Sequence, residues 1–340
     1  MAAPLLLGDA YLVPWLPEFW FGVVAFTLAM YVFLDGFDFG IGIVYPLTRD
    51  ERERETLLAA FGPVWKANEV WLVGFGTILL GAFPPVYARL LSEHYLLAIA
   101  IVLALLFRGV SVKLREERDD EAWVRACDRA FVAGSVVSPF LIGTLVGSWV
   151  FASGTVSVPT LATGVLLVAL SATTGTAYLG VKIRGDLRDR MAAYGRLVGA
   201  CYLGAVVVVL AVLVALDVRG FRELAVTVSV LLPVVGTVAF GLATFGLADR
   251  RAYRGWFAAT AGLSVSLVGL VAALLYPTIY PAAELTVRGA VVSPIPLNLL
   301  TVLGLPVLLL VLGYFLYLYR VFEGPVKVEG EDGGYGVGDD

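Results

Sequence analysis

The stretch "GAVVVVLAVLVAL", Gly204 to Leu216, decides the architecture. A strand of a membrane barrel alternates polar and apolar residues over about ten positions, and this run does not alternate. Similar runs of about 20 or more residues recur along the chain, the length a helix needs to cross a hydrocarbon core of about 30 Å. Within lipid the backbone must satisfy its own hydrogen bonds, and a continuous apolar run does so as a helix. Working outward, apolar stretches bounded by charge, Pro or Gly fall at 19–46, 64–88, 93–112, 126–151, 160–182, 196–216, 223–247, 255–276 and 298–320. The 340 residues are 59% hydrophobic and 15% charged, with a mean hydropathy of +0.88. Soluble domains carry about a quarter charged residues, so a water-soluble enzyme is excluded. The expected fold is all-α, a polytopic transmembrane helical bundle of about nine spans. One integral domain covers 1–325, and the acidic, Gly-rich 326–340 cannot bury a core and reads as a disordered tail.

Basic residues stay on the cytoplasmic side of a membrane. With the N-terminus outside, the inner loops and C-terminus hold nineteen Lys and Arg and the outer loops four, Arg89, Arg219, Arg222 and Arg288. This asymmetry gives an N-out, C-in orientation and an odd number of spans. Met1 to Glu18 carries no Lys or Arg and precedes a span too long for a signal core, so the first helix is expected to be retained. The net charge of -4 argues against nucleic acid as a partner.

The chain holds one histidine, His94, three methionines and two cysteines, Cys127 and Cys201. That is too few ligands for haem or an iron–sulfur cluster, so no metal site is expected and any redox metal belongs to another chain. His94 reads as an interfacial polar residue. The cysteines read as small core residues without a disulfide. The segment "DERERETLLAA", Asp50 to Ala60, reads as a short surface helix with Asp50–Arg54 and Arg52–Glu55 pairs at helical spacing.

Ionisable residues inside apolar helices are costly and mark function by default. The first span holds Asp35 and Asp38 in "YVFLDGFDFGIG", three residues apart and near one face; Gly36, Gly40 and Gly42, with Gly22 earlier, thin the helix for close packing. The second span opens "FGPVWKANEVWLVGFG", with Lys66, Asn68 and Glu69 beside Trp65 and Trp71. Lys66 is expected to neutralise Glu69 or an aspartate of the first span. These residues form either a proton-conducting seam between the two spans or a static ion-pair network locking them together. Arg108, in "LLFRGVSVKLR", reads as a side chain snorkelling to the cytoplasmic interface. Trp15, Trp20, Tyr276, Tyr280, Tyr314, Tyr317 and Tyr319 lie near span ends and suit aromatic belts.

In order and spacing, "LDGFDFGIG" (Leu34 to Gly42), "GPVWKANEVWLVGFG" (Gly62 to Gly76), "AFPPVYARLLS" (Ala82 to Ser92) and "FRGVSVKLR" (Phe107 to Arg115) resemble subunit II of cytochrome bd-type quinol oxidases. "YPTIYP" and "SPIPLNLLTVLGLPVLLLVLGY" are similar to the family's terminal region. The resemblance implies a nine-helix subunit in a heterodimer with a similar subunit I that carries haems b and d and the quinol-oxidising loop. It also implies a respiratory complex that reduces oxygen to water with quinol and takes its protons from the cytoplasm. Subunit II would bind no haem, support assembly and carry a proton route. Some members also have a bound structural quinone, an oxygen path or a small accessory subunit, for which no residues stand out here.

Carried over, Asp35 and Asp38 match the acidic pair of the family's first helix, and Asn68 with Trp71 its second-helix signature. Lys66 departs, standing where many members have a carboxylate, so Glu69 or the aspartates would have to take over that position's part. The proton-pathway candidates are Asp35, Asp38, Lys66, Asn68 and Glu69; Trp65, Trp71 and Arg108 are structural or interface candidates. The alternative function is an ion-coupled secondary transporter using Asp35, Asp38, Lys66 and Glu69. Transporters place such sites in matching halves, and the second half of this chain has no clear counterpart.

Overall fold

The computed structural model describes residues 9–326, so the tail from 327 onward lies outside the described residues. The helices are α1 (Leu16–Val44), α2 (Glu51–Phe61), α3 (Trp65–Ala82), α4 (Pro84–Glu93), α5 (Tyr95–Arg115) and α6 (Glu121–Phe151). They continue with α7 (Val158–Lys182), α8 (Gly185–Ala215), α9 (Val228–Asp249), α10 (Tyr253–Leu275) and α11 (Pro294–Val321). Among the described residues, eight helices are long and apolar enough to cross a membrane: α1 and α5 to α11. The stretch expected as the second span is divided at Phe83 into α3 and α4. Pro84 and Pro85 start a new helix, since proline suits the first helical turn and cannot continue an existing one. Lys66, Asn68 and Glu69 lower the apolarity of α3 below that of the other eight. At α8 the helix begins 11 residues before the expected 196, because "GDLRDRMAAYG" stays helical as a polar extension of the span.

The short surface helix is present as α2, one residue later than expected, but with different pairs. The Asp50 carboxylate caps the helix by accepting from the Glu53 backbone N–H at 2.9 Å, which leaves Arg54 to Glu51 at 3.2 Å.

α7 is the centre of the bundle, packed against α1, α6, α8 and α10, while α9 packs on α10 and α8. The sequence allows this because α1 and α7 meet glycine to glycine. An added Cβ at Gly40 would collide with the Ser171 carbonyl oxygen and the Gly175 backbone, and one at Gly42 with the Ser135 side chain. At Gly36 the nearest atom would be Thr174 Oγ1 at 3.6 Å, and at Gly22 nothing lies within 4 Å. The close approach therefore belongs to Gly40 and Gly42. α11 joins the bundle through side chains. Trp20 Nε1 donates to Thr301 at 2.9 Å, and Asn298 receives the Leu12 N–H at 2.9 Å. At the other end the Lys182 ammonium donates to the carbonyls of Phe322 and Gly324.

Candidate functional site

The first helix supplies the carboxylates, and the glycine packing described above fixes its rotation. Asp35 and Asp38 are both fully buried. Arg108, from α5, is buried as completely and reaches between helices: one Nη atom lies 2.7 Å from Asp35 Oδ1 and 2.6 Å from Glu69 Oε1. Its guanidinium also stacks 4.3 Å from the Phe39 ring centroid, a cation–π contact that is strongest away from water. Gly109, the next residue, leaves room for Trp65, whose ring would sit 2.9 Å from an added Cβ. Trp65 in turn stacks on Phe61 at 5.4 Å. The apolar rings thus wall the arginine in.

Asp38 belongs to a second branch. Asn68, fully buried on α3, donates to Asp38 Oδ2 at 2.7 Å and to the Leu34 carbonyl at 3.3 Å, and its Oδ1 accepts from the Tyr319 hydroxyl at 2.7 Å. These bonds orient the amide unambiguously, because only its nitrogen can donate. Trp71, one turn along α3, packs against Phe26 and Phe315, which closes the network on the α11 side. Asp35 Oδ2, Asp38 Oδ1, Arg108 Nε and Nη1 and Trp71 Nε1 are buried with no hydrogen-bond partner among the described residues.

The structure brings together Asp35, Asp38, Asn68 and Glu69, with Trp65 and Trp71 beside them, and corrects several expectations. Arg108 does not snorkel: it is the cation at the centre, because two carboxylates meet it inside the bundle. Lys66 does not neutralise Glu69 or the aspartates. It is exposed, with its ammonium 5.7 Å over the Trp65 ring centroid, and Arg108 has taken the Glu69 contact. Tyr319 was read as an aromatic-belt residue and is instead a member of the site; its helix faces mostly outward, so the sequence carries no signal for this one inward hydroxyl. Of the other belt candidates, Trp20 is buried and Tyr280 donates to Glu93 at 2.6 Å. Cys127 is buried as expected, whereas Cys201 faces outward rather than into the core, and both are free thiols.

His94 is buried at the α4–α5 junction, where Nδ1 donates to the Leu90 carbonyl at 3.0 Å and Nε2 lies 2.8 Å from Ser148 Oγ. Both ring nitrogens are engaged, so the residue does not fit as an axial haem ligand. Among the described residues no group of three or more His, Cys, Asp or Glu side chains is placed to hold a metal ion.

An integral multi-pass helical protein with a charged cluster buried between its first helices is the class this geometry defines. Residues 16–322 match the family described as cytochrome bd terminal oxidase subunit II. The chain is 29% identical over 333 residues to cytochrome bd ubiquinol oxidase subunit 2 of Bacillus subtilis, covering 92% of this chain and 97% of that one. It is 33% identical over 130 residues to cytochrome bd-I ubiquinol oxidase subunit 2 of Escherichia coli, 38% of this chain and 34% of the relative. A solved chain of the bd oxidase from Geobacillus thermodenitrificans shares its fold, with a TM-score of 0.77 at 19% identity over 90% of this chain and 98% of that one. The chain belongs to the cytochrome bd terminal oxidase subunit II family and is a subunit of an oxidoreductase complex. This family does not favour the transporter alternative.

Proposed function

We propose that this chain is the haem-free membrane subunit of a terminal quinol:oxygen oxidoreductase. It would be assembled with a haem-bearing subunit I, with its N-terminus outside and C-terminus inside, and would carry protons from the cytoplasm toward the oxygen-reducing site. The observation that carries this reading is the buried Arg108, shared between Asp35 and Glu69 with Asp38 nearby. One permanent cation among three carboxyls lets the set take up and release protons while a balancing charge stays in place. Asn68 holds Asp38, and Arg108 holds Asp35 and Glu69, so each keeps one oxygen fixed. Asp35 Oδ2 and Asp38 Oδ1 remain for exchange.

Haems b and d, expected on subunit I, supply the electron transfer and oxygen chemistry, and quinol is the substrate of the complex. The occupied ring nitrogens of His94 support assigning no haem ligand to this chain. The catalytic residues are accordingly expected on the partner; Asp35, Asp38 and Glu69 act as proton carriers and Asn68 and Arg108 as positioning residues.

The test is the Asp35→Asn, Asp38→Asn double variant of the purified complex. With the reduced-minus-oxidised haem spectrum and subunit ratio unchanged, quinol-driven oxygen uptake should fall by about 10²-fold or more, the scale of losing a positioned proton-transfer group. Full turnover in an assembled complex would make the network a static lock between helices and end the proton-route reading.

A further inference from the structure

A groove of about 590 Å³ opens where the end of α1 meets α2 and the start of α6. None of its residues belongs to the buried network. Its long wall is one stripe of α6: Glu121, Arg125, Asp128 and Arg129 are followed on the same face by Val132 and Ala133. At 1.5 Å per residue the stripe runs about 18 Å from a charged rim to an apolar floor. Pro46 of the α1 end lies opposite, and α2 adds Glu51 and Arg54 at the rim.

The acids of the rim are already engaged. Asp128 accepts from the Tyr45 hydroxyl at 2.8 Å and from Arg115 at 2.9 Å. Glu51 pairs with Arg115 and Arg54, and Glu121 with Arg125 at 2.8 Å. Arg129 forms no ion pair among the described residues and is exposed. The lining holds three guanidinium groups and three carboxylates; Arg115, outside the lining, pairs with Glu51 and Asp128, which leaves the Arg129 guanidinium without a carboxylate among the described residues. Arg54 and Arg125 each use one Nη atom on a carboxylate and keep further N–H groups for a ligand.

We propose that this groove is a binding site for an anionic phospholipid, whose phosphodiester sits among Arg54, Arg125 and Arg129 and whose acyl chain lies along Val132, Ala133 and Pro46. The guanidinium fork matches phosphate oxygens geometrically, and basic pockets between membrane helices select anionic headgroups. The unpaired Arg129 guanidinium matches one phosphodiester, and the change from charge to apolar surface along a single helix face follows the polarity gradient of a lipid.

The complex is purified in mild detergent and labelled with a photoactivatable phosphatidylglycerol, using a phosphatidylcholine with the same reactive tail as control. Labelling of the peptide containing 121–133 should favour phosphatidylglycerol. It should fall about tenfold or more in Arg54→Gln, Arg129→Gln, the effect of removing charge-assisted contacts to phosphate, with the haem spectrum and oxygen uptake unchanged. Ala133→Trp, an exposed site that leaves every charge in place, should block labelling by filling the acyl track, which keeps the test open if the arginine variant fails to assemble. Equal labelling by the two lipids, or undiminished labelling in either variant, would overturn the proposal. So would displacement by inorganic phosphate as effective as that by unlabelled phosphatidylglycerol, which would make the groove a free-anion site.

Discussion

The helices at the heart of the bundle are less apolar than those at its edge, and they are placed differently. The most apolar windows of α1 and α7 are 61% and 78% buried within the chain, whereas those of α8, α9 and α11 are 22%, 22% and 6% buried. The difference lies in the small and polar residues that lower the hydropathy of α1 and α7. α1 and α7 carry glycines that let their backbones touch, and α1 adds buried carboxylates that demand partners. α8 and α9 turn valine and leucine outward, such as Val207, Val208, Leu232 and Leu242. In lipid an apolar side chain gains little by being covered, so helices are drawn together by packing and polar bonds. High hydropathy therefore marks a helix of the wall, and interruptions in it mark the core.

The largest effect should come from the buried cation. Arg108→Leu leaves Asp35 and Glu69 without their guanidinium, and breaking a buried pair from one side costs about 3–5 kcal/mol. The complex should be lost, or its melting temperature in detergent should drop sharply; a variant melting like the parent would mean that the two carboxylates do not depend on Arg108. Next, Gly40→Ala pushes a methyl group into the α7 backbone and should cost about 1–3 kcal/mol as overpacking. Gly204→Ala on α8, where nothing lies within 4 Å, should stay within about 0.5 kcal/mol. Equal melting shifts for the two glycines would erase the distinction between core and wall.

Lys66 belongs to the exposed side despite lying one turn from the network. Lys66→Asp should retain assembly, with the subunit ratio and haem spectrum unchanged, and loss of the complex would show Lys66 to be a structural counter-ion. The smallest effect is expected outside the membrane, on α2. Burial raises the Glu53 carboxyl, but the Arg190 guanidinium at 2.5 Å and the Arg49 N–H at 2.7 Å outweigh it and hold the group below the usual carboxylate range. Its contribution is complete above the unfolded-state pKa of about 4.3 and is lost as pH falls through the lower folded value. Glu53→Gln should remove this part of the acid dependence of melting, by less than about 1 kcal/mol; an unchanged acid limb would show that the pair contributes nothing.

Most helices were legible because continuous apolar runs admit one solution in lipid. The failures were of two kinds: the charged start of α8 read as a loop although its turns are helical, and the Pro84–Pro85 break was concealed inside an apolar run. At the site, Asp35, Asp38, Asn68 and Glu69 stood out because such groups are expensive in an apolar helix. The role of Arg108 did not, since its position near a helix end fits snorkelling as well as burial until the facing carboxylates are placed. Tyr319 could be found only in three dimensions, because its bond to Asn68 spans 251 positions of the chain.

That distance has a consequence for biosynthesis. Asn68 leaves the ribosome early, and the hydroxyl that donates to its Oδ1 arrives on α11, after the other described helices. Chain termination anywhere upstream of Tyr319 yields a chain whose Asn68 Oδ1 lacks this donor, so this bond of the network forms only after α11 has been made.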